Sequence, residues 1–81
     1  MNEISEKVLH LGTLYLGPAA KTFLERQTKF HMKQLAFDDL KMEHLPELFK
    51  WIHISASLII DDNAELLVRK LEAAFSVKRA T

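Results

Sequence analysis

The chain has 81 residues, nearly half of them apolar, with eleven basic and eleven acidic side chains and no cysteine. That content excludes a disordered polymer, a disulfide scaffold, thiolate metal sites and cysteine nucleophiles. The zero formal charge excludes a whole-domain field able to hold nucleic acid or anionic lipid.

The opening segment, MNEISEKVLHL, is acidic where a secretory signal would be basic, and its apolar positions are interrupted. No apolar run approaches the roughly 18–20 residues that cross a bilayer. These features, with the lack of cysteine, predict one soluble cytoplasmic domain with no membrane association.

The first helix is expected over residues 3–16. Ile4, Val8, Leu11 and Tyr15 form its inner stripe, which Leu9, Leu14 and Leu16 widen. Gly12 lies beside that stripe and costs about 1 kcal/mol relative to alanine, so its expected use is close approach of another helix. Gly17-Pro18 then punctuates the chain, because a residue before proline avoids the α region and proline suits a first helical position.

The second helix is expected over 18–34, in a hairpin or sharp corner with the first. Ala20, Phe23, Leu24, Phe30 and Leu35 are its inner residues, with Gln27 and His31 on the same side. Thr22, Arg26, Lys29 and Lys33 form the outer ridge. A short helical turn near 38–41, capped by Asp38, leads to the third helix at 44–60, with Pro46 and Glu47 suited to its first turn.

The fourth helix is expected over 63–77. Asp62 and Glu65 have capping-box spacing, and Ala64, Leu67, Val68, Leu71, Ala74 and Phe75 face inward. The polar tail, residues 78–81, is expected to fray. The result is an all-α, compact four-helix bundle.

The third helix organises the rest. Leu45, Leu48, Phe49, Ile52, Ala56, Ile59 and Ile60 share one broad stripe, while Trp51, Ile54 and Leu58 form a second. Only Lys50, His53 and Ser57 remain as a polar strip, so the helix is central or faces a partner. Leu66, Ala73 and Val77 repeat a thinner second stripe on the fourth helix.

Few constellations offer chemistry. His10, His31, His44 and His53 form no H-x-x-x-H pair of the kind that holds zinc on a helix, and His31 is the nearest to a ligand. Asp61, Asp62, Asn63 and Glu65 lack the alternating oxygens and glycine turn of a calcium loop and read as helix capping. Ser5, Ser55, Ser57 and Ser76 sit in helical patterns, not on a nucleophile elbow. Two glycines are too few for a phosphate loop. No metal, cofactor or enzymatic activity is expected.

Residues 18–34 carry Lys21, Arg26, Lys29 and Lys33 against Glu25, whereas 38–62 carry six acids against Lys41 and Lys50. These regions are expected to offset one another in the fold. The alternative is a nucleic-acid-binding face built on Arg26, Lys29 and Lys33. Against it, Gly17-Pro18 is shorter than a helix-turn-helix turn, and Pro18, Ala19 and Ala20 replace base-reading side chains.

Leu16-Gly17-Pro18-Ala19-Ala20 followed by Phe23-Leu24-Glu25-Arg26 resembles a small helical domain appended to bacterial signalling proteins, Ser/Thr kinases and response regulators among them. There a G-P-x-A step opens the second helix, and the similarity would cover residues 8–75. The resemblance implies a non-catalytic, regulatory adaptor or assembly module and supplies no site residues. With the second apolar stripes, it predicts association with another protein chain, itself included. Trp51, Ile54 and Leu58 form the expected interface, with Leu66 and Val77 adjoining, since tryptophan is enriched at such contacts.

Overall fold

The computed structural model describes residues 1–81 and contains helices and turns only. The α-helices are α1 (Glu3–Leu16), α2 (Ala20–His31), α3 (Leu45–Ile60) and α4 (Asn63–Phe75). Single 3-10 turns occupy Gly17–Ala19, Phe37–Asp39 and Met42–His44. The first runs straight from α1 into α2, and the last straight into α3. Helical backbone is therefore continuous over 3–31, 42–60 and 63–75, three stretches in place of four separate rods. The Gly17-Pro18 corner turns the chain without a loop.

That corner depends on glycine. Gly17 adopts φ 62°, ψ −145°, while its N–H still donates to Thr13 O. A Cβ there would meet no atom within 4 Å, so only backbone strain opposes a side chain. Gly17→Ala is expected to cost about 1–2 kcal/mol, read as a lower urea midpoint with unchanged slope. Gly12 acts differently: a Cβ on it would lie 3.3 Å from Leu24 Cδ1, so its absence lets α2 close against α1.

Asn2 caps α1 by accepting from the Ser5 N–H at 2.8 Å. Its amide also donates to Asp38 O at 3.0 Å and Leu40 O at 2.8 Å, which ties the start of the chain to the connection after α2. Through that connection Phe37 and Leu40 become buried. The turn there spans Phe37–Asp39 and starts from Ala36; Asp38 lies inside it and does not cap it.

Helix α3 packs between α2 and α4, diagonally across the core from α1. Leu45, Leu48, Phe49, Ile52 and Ala56 are buried on one face, against Ala64, Leu67, Val68 and Leu71 of α4, Leu24 of α2 and Val8 of α1. Each large side chain sealed this way stabilises the fold by about 1.5–3 kcal/mol. Helix α4 returns antiparallel after the Asp61-Asp62 link, and Phe49 meets Phe75 at 6.2 Å between ring centroids. The radius of gyration, 11.0 Å, is close to the roughly 12 Å of a compact chain this long.

Several expectations are corrected here. Helix α2 stops at His31 because Lys33 and Gln34 take left-handed conformations, φ 57° and 58°, which reverse the chain and leave Met32 buried. Phe30 lies outside, 68% exposed, while Gln27, on the inner side as its spacing predicts, and Thr28 are buried. Leu14 and Ile59, assigned to inner stripes, are exposed as well. The Asp62–Glu65 capping box does not form, since Asp62 makes no side-chain cap and the Glu65 carboxylate accepts from arginines instead. None of Lys21, Arg26, Lys29 and Lys33 enters an ion pair, so the basic and acidic regions do not offset each other as expected.

Candidate interaction surface

Two contacts fix how α2 lies along α3. The His31 and Trp51 rings stack with centroids 4.2 Å apart and planes 12° from parallel. One turn further along each helix, Ser55 Oγ donates to Gln27 Oε1 at 2.8 Å. Because 31 pairs with 51 and 27 with 55, the helices are antiparallel and share a polar seam. Gln27 Nε2 in turn donates to Phe23 O at 3.3 Å.

Outward from this seam both helices are apolar. On α3, Trp51, Ile54 and Leu58 occupy about 60° of arc next to Ser55. On α2, Phe23 and Phe30 are seven residues apart and fall within about 20° of each other next to Gln27. Leu58 is 86% exposed, Ile54 48% and Phe30 68%, with Phe30 at the Trp51 end of the face and Leu58 at the Phe23 end. Trp51 and Phe23 are half-buried and pack against the core. The indole is thus part of the monomer as well as of its surface. Its Nε1 donates to Glu47 Oε2 at 3.3 Å, and Lys50 Nζ lies 4.7 Å from its ring centroid.

Cations border this strip on both sides. Arg26 and Lys29 flank Phe30 on α2, with Lys29 Nζ 5.6 Å from the phenyl centroid, and Lys50 flanks Trp51 on α3. Lys33 does not continue the α2 ridge, because it lies beyond the helix end in a left-handed turn.

Leu66 and Val77 do not adjoin the strip. Phe49 and His53 identify the α3 face toward α4, through the Phe75 ring and through Glu65 Oε1 at 3.3 Å from His53 Nε2. Leu58 lies about 180° round the helix from Phe49, so it points away from α4. Leu66 is exposed on the far side of α4, and Val77 packs against the core.

A second constellation lies where fraying was expected. Ser76, with φ 56°, ends α4 and reverses the chain. The Ala80 N–H then donates to Pro46 O at 2.8 Å. Arg79 grips two carboxylates two turns apart on α4: Nη1 and Nη2 meet Glu65 Oε1 and Oε2 at 2.8 and 2.7 Å, while Nε and Nη2 meet Glu72 Oε2 and Oε1, both at 3.0 Å. The Arg79 N–H adds a bond to Glu72 Oε2 at 2.8 Å. Hydrogen bonds from Arg79, then Arg69, hold the Glu65 carboxyl down at about 2 from an ordinary 4.5. Those from Arg79 lower Glu72 in the same sense, and both carboxylates raise Arg79.

The histidines are dispersed. His10 is exposed, His31 is in the stack, His44 Nδ1 accepts from the Lys41 N–H at 3.0 Å, and His53 meets Glu65. No three His, Asp or Glu side chains converge as a metal site would require. No helix is long and apolar enough to cross a membrane. No protein-family model, curated protein or solved structure matches the chain.

Sequence reasoning missed Phe30 and Arg79. A signal for Phe30 existed in its i, i+7 spacing from Phe23 with Arg26 and Lys29 between them. Arg79 left only the i, i+7 pair Glu65 and Glu72 on one side of α4, with no local partner for both.

Proposed function

We propose that the protein is a non-catalytic interaction module that binds another protein chain through the outer face of the α2–α3 pair. The observation that carries this reading is Leu58: a leucine 86% exposed on the outer side of α3, in line with Ile54. Removing such side chains from water is worth about 25 cal/mol per Å² of apolar area, and a contiguous exposed patch marks a contact site. The stacked, half-buried indole beside them suits an anchor that loses little freedom on docking. An adaptor or assembly role, of the kind implied by the Gly17-Pro18 resemblance, is compatible with this surface.

Leu58→Asp tests the proposal, since the site contributes little to the monomer fold. Sedimentation of the fluorescently labelled chain, alone and in cell extract, should reveal a species heavier than the 9.4 kDa monomer. The substitution should remove that species, with stability changed by no more than a surface substitution does, about 0.5 kcal/mol. A monomer under both conditions, indifferent to Leu58→Asp, would refute the reading.

A further inference from the structure

We infer that the occupant of the α2–α3 face is an acidic amphipathic helix from another protein, not a second copy of this chain. The inference rests on the docking surface proposed above and goes further by naming what fills it.

Charge makes the choice. Arg26 and Lys29 along one edge and Lys50 along the other carry no ion-pairing partner, so both long edges of the apolar strip are cationic. The carboxylate at one end, Glu47, already accepts the Trp51 N–H. Asp61 and Asp62 lie past the other end, beyond α3. A two-fold pairing of this face with itself would set cationic edges of one copy against those of the other. Like charges opposed in this way disfavour the pairing and select against the self-complex.

A helix with apolar side chains at i, i+3 and i+7 and carboxylates on both flanks would satisfy strip and edges together. The Trp51–Leu58 ridge is about 11 Å long, which corresponds to about two turns of such a helix. Carboxylates opposite Arg26 and Lys29 would also speed encounter by attraction at long range.

Trp51 is the only tryptophan, so its emission reports occupancy directly. Three helical peptides of about 18 residues would share Leu and Phe anchors and carry Glu, Gln or Lys on their flanks. The Glu peptide should shift Trp51 emission at a concentration about tenfold or more below the Gln peptide, and its advantage should shrink as salt rises. The charge-reversed variant R26E/K29E/K50E should reverse the order and favour the Lys peptide. Circular dichroism establishes that each variant is folded.

If Glu and Gln peptides bind alike and Leu58→Asp abolishes both, the docking surface survives and the acidic partner is refuted. If the chain instead dimerises through Leu58 while every peptide fails, the partner class is likewise refuted. Binding of single-stranded oligothymidylate at the same salt, lost in R26E/K29E/K50E, with no peptide bound, would replace it with nucleic acid. Absence of all these responses removes both proposals.

Discussion

Replacing Phe49 with alanine is expected to cost about 3–5 kcal/mol, the typical penalty for emptying a sealed aromatic site. Phe49 is the largest fully buried side chain, inaccessible to solvent in the N-terminal half of α3 and tilted against Phe75. A domain of this size is held together by only about 4–12 kcal/mol. The variant should therefore show a much lower urea midpoint, or retain helix with no cooperative transition. Circular dichroism through a urea titration distinguishes these outcomes from a near-native curve, which would contradict the enclosure of Phe49. The contrast with Leu58→Asp is informative, because the two residues lie on opposite sides of one helix and only one is enclosed.

Arg79→Ala is the second large effect, and it should be visible in the pH dependence. In the native chain Glu65 is depressed to about 2 from 4.5, and Glu72 is depressed too. Depressed carboxylates stabilise the fold above their unfolded value, and that stability is lost as pH falls from about 4.5 towards 2. Wild-type stability should accordingly drop through this window. Without Arg79 the chain should start less stable at neutral pH and lose less on acidification, since Arg69 alone remains hydrogen-bonded to Glu65. Hydrogen exchange supplies an independent readout: the Arg79 and Ala80 amides, held by Glu72 and Pro46, should lose protection about tenfold or more while the α3 core amides change less. An unchanged acid limb would mean that the clamp does not contribute in solution.

Local information in the chain went a long way. Gly17-Pro18 and Pro46 mark helix boundaries because proline acts within a few residues. The buried face of α3 follows from the 3.6-residue period, and Gly12 at the α1–α2 contact follows from its missing Cβ. Failures arose where the answer depended on residues far along the chain. Phe30 has the hydrophobicity of a core residue, but Gln27 and Thr28 occupy the inner positions. Gln27 is satisfied there by Ser55, and Thr28 Oγ1 donates to Glu25 O at 3.1 Å. Composition alone cannot foresee a buried amide whose partner lies 28 residues away.

Ile52 and Ile59 divide what the sequence determined from what the tertiary structure decided. Seven residues apart, they project within about 20° of each other from α3, yet Ile52 is sealed and Ile59 is 64% exposed. Proline marked where α2 and α3 begin, while periodicity determined the all-helical class and the direction each side chain leaves its axis. It could not say how far neighbouring helices extend along that direction. Tertiary packing decided this: which apolar residues were left outside on the α2–α3 face, and that Arg79, carried back by the reversal at Ser76, meets Glu65 and Glu72. A helical period defines an angle, whereas burial also needs another surface at that angle, and only the folded chain supplies it.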